Sequence, residues 1–205
     1  MRVLVIDQCS GSKDYPNDLT VFKEADLDEY SLEELRTRED TRGIEARELY
    51  SGRQQQYVNE AVRMLRTTGH EVDRYFVSAG FGVVNERDQL PPYEVTFSTM
   101  GAAEIDARAA ELGIPHAVES LLTTNPPYDI VFFALGSDYY RSLKLESTLE
   151  QLPSETVGVV FNQEDVAETF DNVVSVPART TEAKEHGTIV VALKGVYLKN
   201  FARNV

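Results

Sequence analysis

Apolar residues fall into short unbroken runs along this chain, separated by longer polar stretches with helical spacing. Residues 3–6 (Val-Leu-Val-Ile) form the first run and lead into a polar loop, residues 7–16. Residues 129–135 repeat the pattern most clearly, residues 72–78 and 157–161 read as further strands, and residues 173–176 form a shorter candidate. Continuous apolar runs of this length suit strands covered on both faces. Between the runs the period lengthens. Residues 44–67 place Leu49, Val58, Ala61, Val62 and Leu65 at helical spacing, with Gly69 as the stop. Residues 105–112, a segment from 117 to 123, and residues 188–200 read as further helices. Pro91 and Pro92 remove two ladder donors, so residues 90–94 are excluded from a central strand.

Strands alternating with helices predict an α/β fold: a three-layer, mostly parallel sheet flanked by helices. The length of 205 residues suits a single α/β domain over residues 1–205. Within residues 18–42 only Leu27, Leu32 and Leu35 are strong apolar anchors, which predicts a helical insertion outside the core. No apolar tract is long enough to span a membrane. The N-terminal apolar run is too short for a signal peptide, so a cytoplasmic location is expected.

Charge and cysteine use narrow the picture. The formal net charge is -14, from 34 acidic and 20 basic residues, and most of the basic residues are arginine. Acidic residues are spread over the whole chain, a pattern suited to solvation in concentrated salt, so a halophilic surface is expected. An acidic total normally argues against nucleic acid, because binding draws on phosphate neutralisation. In molar salt that field is screened within about 3 Å, so net charge does not decide the matter. The single cysteine, Cys9, excludes an intrachain disulfide and a cysteine-based zinc site. His70, His116 and His186 lie far apart, and no metal or cofactor is expected.

Ligands of parallel α/β sheets sit beyond the carboxyl ends of the strands. Three predicted strands end in loops rich in Gly, Ser and Asp. After the first, Cys9-Ser10-Gly11-Ser12-Lys13 offers backbone N–H groups and a cation to an anion, without the spacing of a P-loop. A tight turn with a solvated lysine is the plainer reading. Cys9 itself suits a buried structural thiol better than a nucleophile, since no histidine is near it in sequence. After the second strand, Ser78-Ala79-Gly80-Phe81-Gly82 allows close approach to backbone, or is a plain turn. After the third, Gly136-Ser137-Asp138-Tyr139-Tyr140 offers Ser137 as a helix cap, Asp138 as an acceptor for ligand hydroxyls, and a tyrosine to stack on a base. Core tyrosines behind an N-cap are the alternative. Pro91-Pro92-Tyr93-Glu94 is a stiff loop presenting an aromatic ring and a carboxylate suited to general-base work, or a solvated connection.

Four stretches together resemble the YaaA-like family: Cys9-Ser10-Gly11-Ser12-Lys13, Ala46-Arg47-Glu48-Leu49-Tyr50-Ser51-Gly52, Val77-Ser78-Ala79-Gly80-Phe81-Gly82-Val83-Val84, and Pro92-Tyr93-Glu94-Val95-Thr96. Their order and spacing follow the family pattern across roughly residues 1–145, with Glu94 where the family usually carries Asp. The first loop also resembles that of the glycosylase-like domain of archaeosine synthase. These resemblances imply a fold similar to uracil-DNA glycosylases and a pocket for a nucleobase, nucleotide or nucleic acid. They imply ligand-binding roles for Cys9, Ser10, Ser12, Lys13, Arg47, Tyr50, Gly52, Ser78, Gly80, Gly82 and Tyr93, to which the loop after the third strand adds Gly136, Ser137 and Tyr139. Glu94 and Asp138 are the candidate catalytic carboxylates, Lys13 and Arg47 the candidate phosphate holders, and Tyr50, Tyr93 and Tyr139 the stacking candidates. The implied chemistry is N-glycosidase or base exchange on a flipped base. A non-catalytic nucleotide or DNA-binding stress module and an enzyme of free nucleosides are the alternatives, because fold does not fix function.

Overall fold

The computed structural model describes residues 1–38 and 41–205. A six-stranded sheet runs in the order β4-β3-β1-β6-β7-β8. Its strands are β1 (Arg2–Gln8), β3 (Glu71–Ser78), β4 (Gly82–Asn85), β6 (Ile130–Ala134), β7 (Val157–Phe161) and β8 (Val173–Val176). Every pairing is parallel except the β3–β4 hairpin at one edge. The pieces β2 (Ile44–Glu45) and β5 (Gln89–Leu90) pair separately, antiparallel. The helices are α1 (Glu24–Glu29), α2 (Leu32–Arg36), α3 (Ala46–Leu49), α4 (Arg53–Thr67), α5 (Ala102–Glu111), α6 (Ile114–Leu122), α7 (Ser137–Ser142), α8 (Leu145–Leu149), α9 (Glu164–Ala167), α10 (Thr180–Glu185) and α11 (Leu193–Asn204).

Alternation along β1 explains the three layers. Val3 and Val5 point to one face, where they pack with Val58, Ala61, Val62 and Leu65 of α4 and Leu198 and Ala202 of α11. Leu4 and Ile6 point to the other, against Ile105, Ile114 and Val118 of α5 and α6. Both faces are covered, as the unbroken apolar runs require. The fold is therefore the mixed α/β, mostly parallel arrangement that the sequence predicts.

Two differences bear on the site. Residues 44–67 are not one helix. Tyr50 is extended (φ -83°, ψ 98°) and α4 starts afresh after Gly52. The break is held by the β1 loop: Asp14 N donates to Leu49 O, Ser51 N donates to Ser12 O, and Lys13 bridges to Tyr50. The sequence also hides β4, where Gly82 at φ 74° turns the chain into the hairpin.

The predicted insertion contains α1 and α2, joined by Ser31, whose hydroxyl accepts from Glu34 N. Residues 39 and 40 of that segment lie outside the described residues. Phe22 N donates to Pro92 O and Glu94 N donates to Phe22 O, so the insertion docks on the stiff Pro91–Pro92 loop.

Candidate functional site at the carboxyl edge of the sheet

Parallel strands all end on one side. Cys9 N donates to Val77 O across β1 and β3, and Gly136 N donates to the Gln8 side chain across β1 and β6. The three loops singled out in the sequence thus open on one edge of the sheet.

Between the β1 loop, the β6 loop and the start of α4 lies a cavity of about 530 Å³. Cys9, Ser10 and Ser12 line it from the first loop, and Gly136, Ser137, Asp138 and Tyr139 from the third. Gly52, Arg53, Gln54 and Gln55 bring the first turn of α4 to its wall, where helix N–H groups lack intrahelical partners. Thr96 and Ser98 add hydroxyls, and Ile189 and Val191 form an apolar lip. Asp138 is the one carboxylate and Arg53 the one cation among the described lining residues.

The floor is a buried polar network that the sequence reading missed. Asp7 is fully buried at the end of β1. Its Oδ1 accepts from Gln54 Nε2 at 2.6 Å and Gln55 Nε2 at 3.2 Å, and its Oδ2 pairs with Arg74 at 2.7 Å. Burial lowers the pKa of Lys194 on α11, and the nearby Asp7 charge opposes that fall. Gln54 also donates to Ala134 O at 2.7 Å, which leaves its buried Oε1 without a partner. Buried acceptors are almost always satisfied, so this one is an exception within an otherwise paired network. The available signal was Asp7 itself, a charge at the end of an apolar strand. Burying it requires partners.

Gly52 is required by closeness rather than by backbone angle, since its φ is -58°. A Cβ there would overlap Ser10 Oγ and come within 2.5 Å of Gln55 Oε1. Ser10 Oγ in turn accepts from Ser12 N at 3.1 Å and holds the loop in shape.

Cys9 is buried against the cavity wall, its Sγ 3.1 Å from Tyr139 Oη. Thr96 Oγ1 lies 3.1 Å from the same phenol. Burial, reinforced by the neighbouring thiol, pushes the Tyr139 pKa far up, so its hydroxyl stays protonated. This is a satisfied, structural thiol, in line with the plainer reading of Cys9.

The remaining candidates lie elsewhere. Tyr50 and Tyr93 have no exposed surface. Their phenol oxygens are 2.7 Å apart, and Ser78 Oγ is 2.7 Å from that of Tyr93. Both rings are therefore core residues and neither offers a stacking face, a correction to the expectation that they contact a base. Lys13 and Phe81 lie against the Tyr93 ring, Tyr50 packs on Phe76, and Phe22 of the 18–42 segment pairs with the Tyr93 backbone. Gly80 packs against the Tyr93 ring, where any Cβ would clash. Lys13 stands with its Nζ 4.3 Å from the centre of the Tyr93 ring, and burial lowers its pKa. Gly82 turns the hairpin against Leu112, away from the cavity.

Glu94 is exposed and ion-paired with Lys23, whose hydrogen bond holds its pKa below the ordinary carboxylate value. A salt-bridged surface carboxylate outside the cavity is not placed as a general base there. Arg47 lies in a separate cleft with Arg66 and Arg74. Ser137 is the first residue of α7, and Gly136 takes the cap position expected of Ser137.

No family model matches the chain, and no curated protein matches it in sequence. Among the described residues no group of three His, Cys, Asp or Glu side chains is placed to hold a metal ion, and no helix is long and apolar enough to cross a membrane.

Proposed function

We propose that the cavity at the carboxyl edge binds a nucleobase, free or within a nucleotide or nucleic acid. One observation carries this reading. The cavity joins a polar wall, with the Gln54 and Gln55 side chains, the α4 N-terminus and Asp138, to an apolar lip of Ile189 and Val191. A base has apolar faces and a hydrogen-bonding edge, and a site of that division matches it. Of the stretches that carry the resemblance to YaaA-like domains, the Cys9–Ser12 loop, Gly52 and Thr96 line this cavity. Stacking falls to the aliphatic lip, because the tyrosines are buried.

Chemistry, where it occurs, rests on Asp138. A lone carboxylate can activate water or stabilise a sugar cation, which suits cleavage or exchange at an N-glycosidic bond. Glycoside hydrolysis of the common kind uses a pair of carboxylates across the scissile bond, and a pair is not present in the described lining.

The test is a thermal-shift screen in high salt against bases, nucleosides, nucleotides and short oligonucleotides. Base-bearing ligands raise the melting temperature, and Asp138→Asn keeps the shift while losing release of free base. Indifference to every base-bearing ligand sinks the reading. A shift without any base release in the parent protein selects the non-catalytic binding module instead.

A further inference from the structure

A second cavity, of about 420 Å³, opens at the β3–β4 edge of the sheet, away from the carboxyl edge. Arg47, Arg63, Arg66 and Arg74 all line it, with Glu86 as the one carboxylate among the described lining residues. In a chain of net charge -14, four guanidiniums in one cleft run against the overall composition. Asn59, Val62, Arg63 and Arg66 recur at the i, i+3, i+4, i+7 spacing of one face of α4. That stripe borders the apolar stripe which packs on the sheet.

The local ion pairs do not use up these cations. Arg66 Nη2 pairs with Glu86 at 2.6 Å and also donates to Val72 O. Arg47 pairs with Glu45 at 2.6 Å. Arg74 is 1% exposed and binds Asp7 and Asn59, yet its Nε is buried without a hydrogen-bond partner. The charge of Arg63 helps to lower the pKa of Glu60, one turn before it, but the hydrogen bond of Glu60 goes to Lys199 of α11. Each guanidinium carries about five donors in a planar fork, so Arg47, Arg63 and Arg66 keep donors beyond these pairs, while Arg74 is spent on Asp7 and Asn59. Arg63 and Arg66, three residues apart, repel each other until an anion sits between them.

We propose that this arginine cleft is a second ligand site, specific for a phosphate-class oxyanion. Guanidinium forks match the paired oxygens of such an anion, and the buried Arg74 fixes the floor while Arg47, Arg63 and Arg66 close from the sides. The site shares no lining residue with the carboxyl-edge cavity and stands independently of the nucleobase reading. The phosphate can be free or carried on a polynucleotide.

The experiment titrates inorganic phosphate into the full-length protein at constant ionic strength set with KCl, reading heat and melting temperature. Arg63→Gln and Arg47→Gln are compared with the parent; both side chains are partly or fully exposed, so folding is retained, which circular dichroism checks. Saturable phosphate binding that weakens about tenfold in Arg63→Gln, the equivalent of one charge-assisted hydrogen bond, supports the site. Binding equally strong in both variants, or a response no larger than that to chloride, overturns it. A short single-stranded oligonucleotide forms the second arm. Competition with inorganic phosphate that both variants lose identifies a polynucleotide source, and its absence identifies a free oxyanion. Asp138→Asn leaves phosphate binding unchanged.

Discussion

Cys9 Sγ and Tyr139 Oη lie 3.1 Å apart although 130 positions separate the two residues. The contact ties the loop after β1 to the helix after β6 at the cavity wall. Tyr139 Oη also reaches Thr96 Oγ1 at 3.1 Å and Cys9 O at 3.3 Å. Tyr139→Phe keeps the ring against Phe97 and removes three contacts at once. Leaving buried polar atoms unpaired costs about 1–3 kcal/mol. The expected result is a loss in that range by chemical denaturation, together with faster alkylation of Cys9 in the folded protein. Unchanged stability would show that the three contacts carry no weight.

Tyr93 is a structural residue, and its two simplest variants separate packing from hydrogen bonding. Tyr93→Ala removes a fully buried ring beneath Lys13 and beside Phe81, with an expected cost of about 3–5 kcal/mol. Tyr93→Phe keeps the ring but removes the contacts of its phenol with Tyr50 and Ser78, for about 1–2 kcal/mol. Ligand affinity of folded Tyr93→Phe is expected to equal that of the parent, since the phenol does not face the cavity. A large affinity loss in Tyr93→Phe would return the ring to the binding site.

Alkaline stability follows from the same tyrosines. Burial raises the pKa of Tyr50, Tyr93, Tyr139 and Tyr140 above the ordinary value of about 10. A group raised on folding contributes stability that is complete below its unfolded pKa and lost above it, because the unfolded chain releases the proton first. Lys13 and Lys194, lowered by burial, act in the opposite sense and add stability as pH rises toward their ordinary values. Four phenols outweigh two amines. Stability is therefore expected to fall steeply above about pH 10. The phenolate absorbance of these four residues should appear together with loss of circular dichroism. Gradual titration of all ten tyrosines in a folded protein would contradict the burial pattern.

The sheet was largely legible in the sequence where a strand covered on both faces is apolar throughout, as Ile130–Ala134 is. β4 was not, since Val83 and Val84 are too few to stand out between Gly82 and Asn85. About half of the cavity was legible, through the loops at Cys9 to Ser12 and Gly136 to Tyr139. The other half comes from α4, whose N-terminus at Arg53 falls in the polar stretch between Leu49 and Val58 that the single-helix reading bridged. Ile189 and Val191 fall inside residues 188–200, which the spacing reads as one closing helix. They are instead 51% and 57% exposed, ahead of the helix that begins at Leu193. Tyr50 and Tyr93 misled because an aromatic beside a carboxylate looks the same in sequence whether or not another segment covers it.

Salt response tests the reading of the acidic surface. Of the acidic residues, those in ion pairs, such as Asp106 with Arg141 and Glu164 with Arg179, are a minority, and the surplus repels itself. Ordinary screening saturates once the Debye length falls to a few ångströms. A surface suited to concentrated salt continues to gain beyond that point, so the melting temperature is expected to climb between about 0.1 and 2 M KCl. A flat or descending curve would leave an ordinary acidic protein.

Gly52 offers the sharpest separation of binding from folding. Its φ of -58° is open to alanine, so Gly52→Ala meets no backbone strain. The new methyl instead collides with Ser10 Oγ and with Gln55 Oε1. Gln55 is held by its bonds to Asp7 Oδ1 and Gln8 O, so Ser10 is the group that gives way. Its rotation breaks the bond from Ser12 N and pushes the β1 loop into the cavity. The cost to folding is one neutral hydrogen bond, about 1 kcal/mol, or roughly 2–4 °C for a chain of this size. The effect on binding is larger, because the first turn of α4 and the Cys9–Ser12 loop no longer frame the same space; a loss of about tenfold or more in base affinity is expected, equivalent to about 1.4 kcal/mol. Ser10→Ala removes the colliding oxygen. The double variant Gly52→Ala, Ser10→Ala should therefore bind better than the sum of the two single losses allows, a coupling that a double-mutant cycle reads directly. Additive losses, or full affinity in Gly52→Ala, would mean that the close approach of Gly52 to Ser10 plays no part in shaping the site.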